Sequence, residues 1–360
     1  MIDFEVRRDD FRQTRLAEGP APEIGEGEVL LAVSAFGLTT NNITYVVLGD
    51  AMSYWAFFPA EEGWGRMPVW GFADVAASEH PEVEVGRRVY GYFPASTHLV
   101  VRPGQVGGGA FIDATPHRAE LPAVYNRYVF TDADPGYEPA REAEQMLLRP
   151  LFGTAFLLDD ELAEDDFGGA QAVVVSSASS KAALATAFLI SRRDGPEVIG
   201  LTSPSRVAFV EGTGAYARVI PYDDLGALPD GSATYLEFSG NAEVRGAVHR
   251  HYGDRLARST LIGVTHWQRM GGGDELPGPA PSFFFAPDRA AKRTSDWGGT
   301  ALRDRMAAAW SPFVEWTGGW LRISRTEGLE PLERAYLEML DGDVDPAAGL
   351  VFQLTFPAHT

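Results

Sequence analysis

The sequence contains no cysteine, and of its 360 residues only Lys181 and Lys292 are lysines. Without cysteine the chain cannot form a disulfide, a thiolate metal site, an iron–sulfur cluster or a thiol nucleophile. Basic positions are otherwise occupied by arginine. The places where the two lysines occur are therefore informative.

Long apolar runs are also absent, and the first ten residues are too highly charged for a secretory signal. Fifty Asp and Glu against 30 Lys and Arg give a formal net charge of -20, which repels nucleic-acid phosphates and anionic membranes. A hydrophobic content of 45% with 22% charged residues is typical of a folded chain. We expect a cytoplasmic protein that binds neither nucleic acid nor membranes.

The length suits two domains. In the first part, apolar stretches bounded by glycine or proline predict strands at 27–36, 69–76, 87–92 and 98–102. Residues 1–140 should therefore form a β-rich domain. The Pro- and aromatic-rich segment 105–139 contains the run Gly107-Gly108-Gly109, and we interpret it as an insertion or lid.

The second part of the chain alternates between predicted strands and helices. After a helical pattern at 140–158, the six acids within 159–166 suggest a solvated connector rather than a metal site. Such alternation is typical of a doubly wound parallel sheet in an α/β protein, whose ligands bind at the carboxyl ends of the strands. The pattern predicts strands at 172–175, 198–201, 219–220, 235–238 and 260–264, and helices at 180–192 and 205–213.

We assign 141–275 to this second, dinucleotide-binding domain. Residues 276–360 are predicted to return to the first domain, with helices near 300–315 and 330–340 and a last strand at 350–356.

The first strand of the second domain runs into the turn Ser176-Ser177-Ala178-Ser179-Ser180-Lys181. The glycines of the usual dinucleotide fingerprint are missing. Small residues still allow the backbone to approach a pyrophosphate, and Lys181 adds positive charge at the first helical turn. We interpret Ser177, Ser179, Ser180 and Lys181 as phosphate-binding. The alternative is a serine N-cap on an ordinary helix, with Lys181 in water.

The residues after the second strand distinguish NADP from NAD. An acid there binds the ribose 2′-hydroxyl of NAD and repels the 2′-phosphate of NADP. This chain has Thr202 and Ser203 after Leu201, no acid, and Arg206 shortly beyond. The pattern favours NADP(H). The alternative is that Ser203 or Ser205 caps the next helix and that Arg206 lies on the surface.

A series of motifs follows along the chain: Gly27–Leu38 (GEVLLAVSAFGL), Asn41–Tyr45 (NNITY) with Gly49, Trp70–Val75 (WGFADV), Val85–Gly91 (VGRRVYG), Ser96–Val101 (STHLVV), Gly212–Tyr222 (GTGAYARVIPY) and Gly349–Leu354 (GLVFQL). Their order and spacing resemble the medium-chain dehydrogenase/reductase superfamily, in its zinc-free quinone oxidoreductase-like branch. The serine-rich turn resembles most closely a poorly characterised reductase-like family. The resemblance implies a GroES-like β-barrel domain plus a Rossmann domain, and a homodimer.

The resemblance also implies roles for single residues. Arg206 occupies a position where the family often has a lysine near the 2′-phosphate, and Tyr222 matches a tyrosine that flanks the ribose phosphate. The loop Phe238-Ser239-Gly240 matches one that approaches the nicotinamide, and Tyr45 matches an aromatic residue of the substrate cleft. Glycines of the family's phosphate turn are replaced by Ser180, Lys181 and Ala183.

Two functions follow as hypotheses. The first is an NADPH-dependent oxidoreductase that transfers a hydride to an activated double bond, in an enone or enoyl group, or to a quinone. Tyr45, Asn41 and Asn42 are candidate acceptor-site residues, with the tyrosine as proton donor; the asparagines have the alternative of being turn residues. The second is a nucleotide-binding regulatory or partner-binding protein without turnover.

The substrate of the first hypothesis is a small apolar or conjugated carbonyl compound. Aromatic residues that are candidates for its pocket, or equally for the core, are Tyr54, Trp55, Phe57, Phe58 and Trp64.

No metal site is expected. The missing cysteines remove the ligand set of zinc alcohol dehydrogenases, and the histidines His98, His117 and His266 are scattered. His249 and His251 would point to different faces of a helix, and we predict that they are surface or cap residues.

Overall fold

The computed structural model describes residues 1–262, 276–342 and 344–355. The chain divides into two units: unit 1 is Met1–Leu147 with Arg322–Thr360, and unit 2 is Leu148–Leu321. His266 and the predicted strand ends at Val264 and Phe356 lie outside the described residues. Within the described ranges, no helix is both long and apolar enough to cross a membrane.

Unit 1 consists mainly of strands. Strand β3 shows why: its alternate residues Val29, Leu31 and Val33 are fully buried on one face. The helices of the unit are α1 (Thr40–Val47) and α8 (Leu332–Leu340). Its strands are β1 (Ile2–Arg7), β2 (Thr14–Glu18), β3 (Val29–Leu38), β4 (Trp64–Arg66), β5 (Pro68–Ser78), β6 (Arg88–Pro94), β7 (His98–Val101), β8 (Pro103–Gly107), β9 (Ala110–Asp113), β10 (Arg127–Phe130), β17 (Arg322–Glu327) and β18 (Ala348–Gln353).

Most of these strands form one nine-stranded sheet. Its order is β17-β18-β3-β5-β6-β10-β9-β8, with β7 also paired to β3, and a separate sheet has the order β2-β1-β4. Where β5 pairs with β3, the two backbones come so close that a Cβ on Gly71 would lie 2.3 Å from the carbonyl oxygen of Ala35. Only glycine fits at that point.

Residues 105–139 form strands of this sheet and the turns between them, rather than a lid. Strand β10 pairs with β9 and also with β6, where Val129 lies opposite Tyr90. Between β9 and β10, the buried Arg118 donates to Asp113 at 2.7 Å and to the carbonyl oxygen of Tyr125 at 2.9 Å. The glycines and prolines that suggested a lid mark the turns between short strands.

Unit 2 alternates strands and helices. Its strands are β11 (Ala172–Val175), β12 (Glu197–Thr202), β13 (Arg218–Pro221), β14 (Ala233–Glu237), β15 (Leu256–Leu261) and β16 (Ser282–Phe283). The helices are α2 (Glu142–Glu164), whose first residues up to Leu147 belong to unit 1, and α3 (Lys181–Ser191), α4 (Val207–Thr213), α5 (Ala242–Tyr252), α6 (Ala286–Trp297) and α7 (Gly299–Thr317).

The strands of unit 2 form a parallel sheet in the order β13-β12-β11-β14-β15-β16. Numbered along the chain, this is 3-2-1-4-5-6, the strand order of the Rossmann fold, and the direction of winding reverses between β11 and β14. The predicted α/β class, a GroES-like β-rich domain plus a doubly wound parallel sheet, is confirmed.

Residues 276–321 lie in unit 2, whereas the sequence analysis assigned 276–360 to the first domain. Their aromatic residues explain the position. On α7, Phe313 packs against Phe152 of α2 with ring centroids 4.9 Å apart, and against Phe188 of α3 at 5.4 Å. The return to unit 1 starts at Arg322, and β18 pairs antiparallel with β3, where Leu350 lies opposite Leu38.

The acidic run 159–166 is not a solvated connector. Most of it continues α2, and its carboxylates pair with arginines. Asp159 accepts from Arg193 at 2.7 Å, and one oxygen of Asp160 accepts from both Arg289 and Arg293 at 2.6 Å. These ion pairs attach α2 to the neighbouring helices of unit 2.

Candidate active site

The turn after β11 has a strained backbone. Ser176 is fully buried, and Ser177 adopts a left-handed conformation with φ 52°, which favours glycine. The Ala178 N–H donates to the carbonyl oxygen of Leu201 at 2.9 Å, and the Ser180 N–H donates to that of Ser177 at 2.8 Å. These bonds hold a tight turn without the usual glycines.

A glycine in the neighbouring strand provides the room for this turn. A Cβ on Gly200 of β12 would lie 2.8 Å from the Cβ of Ala178 and 3.0 Å from the ring of Tyr216. The Tyr216 hydroxyl donates to the carbonyl oxygen of Ala178 at 3.1 Å. The turn therefore rests on β12 and is held there by Tyr216.

Helix α3 begins directly after the serine-rich turn. Ser180 is its N-cap and accepts a hydrogen bond from the Ala183 N–H at 3.3 Å, and Lys181 is its first residue. The free N–H groups and dipole of such a helix start attract anions, and Lys181 adds charge at the same point. Ser180 thus caps the helix as the alternative proposed, and this role is compatible with phosphate binding.

Tyr222 contacts the same turn. Its hydroxyl oxygen accepts the Ser177 N–H at 2.8 Å. Burial raises the pKa of Tyr222, so the phenol is neutral and keeps a proton that it can donate. The Tyr222 hydroxyl can therefore accept the Ser177 N–H and at the same time donate its own proton to a phosphate oxygen.

The end of β12 carries the residues predicted to recognise a 2′-phosphate. Thr202 is buried as the last residue of the strand, whereas Ser203 and Arg206 are half-buried in the turn that follows. Arg206 ends a short 3-10 turn, Pro204–Arg206, and its N–H donates to the carbonyl oxygen of Ser203 at 2.9 Å. The arrangement provides hydroxyls and a guanidinium without an acid.

Glu237, at the end of β14, is a site residue that the sequence analysis missed. It is 2% exposed, and its carboxylate accepts the hydroxyls of Ser239 at 2.6 Å and Tyr235 at 3.1 Å. Ser176 joins this group, because its oxygen accepts the N–H groups of Phe238 at 2.9 Å and Ser239 at 3.2 Å. Gly240 follows in a left-handed conformation.

This group ties the turn after β11 to the loop after β14. The sequence signal was an acid inside the otherwise apolar predicted strand 235–238, which is a costly place for a charge.

Tyr45 lies in unit 1, on α1, and is 3% exposed. Its hydroxyl oxygen accepts hydrogen bonds from the side-chain amide of Asn41 at 2.7 Å and from the indole N–H of Trp70 at 3.0 Å. Burial raises the pKa of Tyr45. The phenol is therefore neutral, and besides the two N–H donors its hydroxyl also shares a side-chain hydrogen bond with Tyr125.

Asn42 differs from Asn41. Its Oδ1 accepts the Thr39 N–H at 2.7 Å in a capping box at the start of α1, and its Nδ2 donates to the carbonyl oxygen of Pro68 at 2.8 Å. Asn42 is 2% exposed, so its amide is used by the backbone. In this arrangement Asn42 positions α1, and Asn41 is the asparagine in contact with Tyr45.

Aromatic side chains surround Tyr45. Tyr54 and Tyr92 approach its ring at 4.8 and 5.3 Å, and Tyr125 approaches that of Tyr92 at 4.7 Å. The Tyr92 hydroxyl is buried and has no hydrogen-bond partner among the described residues. Sequence reasoning missed Tyr92 and Tyr125, because they come from β6 and from the segment interpreted as a lid.

The other aromatic residues predicted to line the substrate pocket or the core lie in different places. Phe57 and Phe58 are buried beside Tyr92, at 5.5 and 5.7 Å between ring centroids. Trp55 belongs to the main core of unit 1, and Trp64 lies under the guanidinium of Arg15 at 4.2 Å.

His249 is fully buried, so its prediction as a surface or cap residue is wrong. Its ring nitrogens lie 2.9 Å from the Ser259 hydroxyl and 2.9 Å from the carbonyl oxygen of Pro277. Burial lowers the pKa of His249. His251 is half-buried in the last turn of α5, near the carbonyl oxygen of Pro229. In the described part of the chain, no group of three or more His, Asp or Glu side chains is placed to hold a metal ion.

Solved structures share this fold at low sequence identity. CurA from Vibrio vulnificus, solved in complex with NADPH, is 18% identical over 96% of this chain and 95% of that chain, with a TM-score of 0.64. The quinone oxidoreductase from Coxiella burnetii is 14% identical over 99% of both chains, with a TM-score of 0.57. The yhdH oxidoreductase from Salmonella enterica, in complex with NADP, is 14% identical over 99% of this chain and 100% of that chain, with a TM-score of 0.54.

The chain thus shares the fold of these solved oxidoreductase structures. A comparison with curated proteins finds no match. A family model described as "Protein of unknown function (DUF2855)" matches residues 36–345. Because this match spans most of both units, the chain belongs to the DUF2855 family.

Proposed function

We propose that the protein is an NADPH-dependent oxidoreductase that reduces an activated double bond, in an enone or enoyl group, or a quinone, without zinc. The observation that carries the proposal is the start of α3. There the N-cap Ser180 and Lys181 follow the carboxyl end of β11, the first strand of a sheet in Rossmann strand order. CurA and the yhdH oxidoreductase, which share the fold, were solved with NADPH and NADP respectively.

The residues at the carboxyl ends of β11, β12 and β14 fit a dinucleotide. The left-handed conformation of Ser177 and the space that Gly200 leaves for Ala178 give the tight turn that a pyrophosphate requires. Hydroxyl donors surround this turn. When bound, NADPH supplies a hydride to the acceptor. The residues that would hold it are Ser177, Ser179, Ser180 and Lys181 at the pyrophosphate, Thr202, Ser203, Arg206 and Tyr222 at the adenosine phosphate, and Phe238, Ser239 and Gly240 at the nicotinamide half.

Tyr45 provides the acid on the acceptor side. Hydride addition leaves an enolate or a phenolate, whose negative oxygen must be stabilised and protonated. The neutral Tyr45 hydroxyl can donate to that oxygen, and the N–H groups of Asn41 and Trp70 stabilise the phenol oxygen as its proton moves away. Asn42 fixes the helix from which Tyr45 projects. The aromatic side chains around Tyr45 suit a small apolar or conjugated carbonyl compound.

One observation favours a second function, nucleotide binding without turnover. The Ser177 N–H, which would approach a pyrophosphate, is already bonded to the Tyr222 hydroxyl. A turn with one amide in use and without glycines is suited to hold a nucleotide as a signal as well as a reactant.

NADPH titration followed by a turnover assay separates the two functions. The purified protein is titrated with NADPH and NADH by fluorescence, and NADPH consumption is then followed with a panel of enones, enoyl thioesters and quinones. We expect micromolar binding and consumption with at least one acceptor class. Binding without consumption across the panel would favour the second function, and no binding of either dinucleotide would refute both.

Arg206 tests the preference for NADPH. The Arg206→Ala variant should weaken NADPH binding by about 1.5 to 3 kcal/mol, the range for a charge-assisted hydrogen bond, and NADH binding hardly at all. Dissociation constants of both cofactors, measured with both proteins, give the comparison. Equal losses for the two cofactors would remove Arg206 from the 2′-phosphate site.

We also propose that the protein is a homodimer. Among the described strands β16 lies at the end of the sheet, paired with β15, and the residues Phe283 and Phe285 are 56% and 46% exposed. An edge strand with exposed aromatic residues is suited to association with a second copy. Sedimentation of the protein with and without a Phe283→Asp change tests this proposal.

A further inference from the structure

Glu237 is a buried acid to which the proposed reaction gives no role. Its Oε1 accepts the hydroxyl of Ser239 at 2.6 Å and that of Ser176 at 3.5 Å, and its Oε2 accepts the hydroxyl of Tyr235 at 3.1 Å. These three donors are uncharged. They stabilise a carboxylate without cancelling its charge.

The titratable groups whose pKa Glu237 affects are His249, Tyr222 and Tyr235. His249 is near enough for Glu237 to affect its pKa, but burial lowers that pKa and Arg245 lowers it further. The imidazole is therefore neutral at physiological pH and adds no positive charge. Arg245 is 6% exposed on α5, the helix that carries His249.

The position of Glu237 in the sheet indicates which part of a ligand it affects. A Rossmann sheet consists of two mononucleotide-binding halves, and the winding reverses between their first strands, here β11 and β14. The first half ends at the phosphate turn. The second half begins with β14, whose carboxyl end is Glu237, so this residue lies at the start of the second mononucleotide site.

We propose that the Glu237 carboxylate acts on the nicotinamide half of a bound dinucleotide and biases the site toward the oxidised cofactor. Reduction adds two electrons and one proton to the nicotinamide ring and removes its positive charge. A fixed negative charge therefore favours the oxidised form, and it makes bound NADPH a stronger hydride donor. The inference rests on the proposed dinucleotide site, but it does not depend on which acceptor is reduced.

The test compares two dissociation constants. NADP+ and NADPH are titrated into the wild-type protein and into Glu237→Gln, by calorimetry and fluorescence respectively. We expect the ratio of the NADP+ constant to the NADPH constant to rise about tenfold in the variant, which is equivalent to about 30 mV in the potential of the bound two-electron couple. A structural defect alone would weaken both forms equally and leave the ratio unchanged.

A second pair of variants covers the case in which Glu237→Gln does not fold. Ser239 is half-buried beside the carboxylate, so Ser239→Lys places a positive charge there, whereas Ser239→Met has a similar length without charge. Both variants remove the hydrogen bond to Glu237, and only Ser239→Lys adds a positive charge, so Ser239→Lys should raise the ratio clearly above that of Ser239→Met. As a further control, Glu243→Gln removes an exposed charge from the same segment and should leave the ratio unchanged.

The outcomes are distinct. A wild-type protein that binds neither NADP+ nor NADPH would refute the proposed function. Binding of both, with the same ratio in wild type, Glu237→Gln and Ser239→Lys, would overturn the role of Glu237 and leave the proposed function standing.

Discussion

At the scale of single residues, the two lysines supply a site variant and its control. Lys181→Ala should raise the dissociation constant of either dinucleotide by about tenfold, the effect of losing a contact to phosphate worth ~1.4 kcal/mol. The melting temperature should hardly change, because Lys181 is half-buried at the first turn of α3 and a lysine in that position adds little to stability.

Lys292 provides the control for Lys181. It lies on α6 and pairs with Glu164 and Asp296, each at 2.9 Å. Lys292→Ala removes the same side chain away from the phosphate turn, so its cofactor affinity should match the wild type. Unchanged affinity in Lys181→Ala together with a lower melting temperature would show that Lys181 is structural.

Tyr45 is the residue whose loss should affect turnover alone. Tyr45→Phe keeps the ring contacts and removes the proton donor, so kcat should fall about ten- to ten-thousand-fold while the NADPH dissociation constant stays the same. Tyr336→Phe is a matched control, since it also removes a buried hydroxyl, the donor to the Phe11 carbonyl oxygen at 2.8 Å. If Tyr45→Phe retained full activity, the proton donor would be another group or solvent.

Sequence patterns predicted the positions that depend on local chemistry. Serines and a lysine before an alanine-rich helix predict a helix start, and Ser180 is that N-cap. The pattern could not show that Ser176 contacts Glu237, because this bond joins residues 61 positions apart through the pairing of β11 with β14. Nor could it show that the Asn42 amide is used by Pro68, which lies 26 residues away.

At the scale of elements, the segment between β9 and β10 depends on a buried ion pair. Arg118 and Asp113 have side chains that are each 1% exposed, and their charged atoms lie 2.7 Å apart. Asp113→Asn should destabilise unit 1 by about 3 to 5 kcal/mol, because it leaves the guanidinium buried without its counterion.

Urea unfolding measures this change. The exposed pair Arg334 and Glu338 provides the control, with side chains 82% and 59% exposed. Glu338→Gln should cost less than about 1 kcal/mol. Similar losses in the two variants would mean that burial does not set the strength of these pairs.

Whole elements also differ in how well the sequence predicts them. The four residues of β11 are apolar and fully buried, so a continuous run predicts them directly. The patterns missed α6, because its buried residues Arg289 and Arg293 are charged and pair with Asp160, while its apolar contacts to the core come from the partly buried Ala286, Ala290 and Trp297. A periodicity of apolar residues does not detect a helix of this kind.

At the scale of the whole molecule, buried phenols should limit stability at alkaline pH. Burial raises the pKa of Tyr128 to about 12 and that of Tyr92, Tyr216 and Tyr235 well above the ordinary value. Above about pH 10 the unfolded chain loses these protons and the folded chain keeps them, so stability is complete below that pH and falls as pH rises. Each buried phenol contributes a slope of up to about 1.4 kcal/mol per pH unit.

Urea unfolding at several pH values, together with phenolate absorbance of the folded protein, checks this expectation. Stability should be level between about pH 7 and 9 and should fall steeply above 10, while the buried tyrosines of the folded state stay protonated. A level profile up to about pH 11 would mean that these hydroxyls ionise as readily in the folded protein as in the unfolded chain.

The path of the chain through the two units has a consequence for biosynthesis. Unit 2 is contiguous, whereas the outer half of β3 pairs with β18, with Phe36 opposite Phe352. On a ribosome that adds about 5–20 residues per second, β3 emerges early and waits for nearly the whole chain before this partner exists. Unit 2 can meanwhile fold as it is made. The nascent protein therefore carries an unpaired apolar strand edge for most of its synthesis, which is the stage at which chaperones bind and at which crowded expression would favour aggregation.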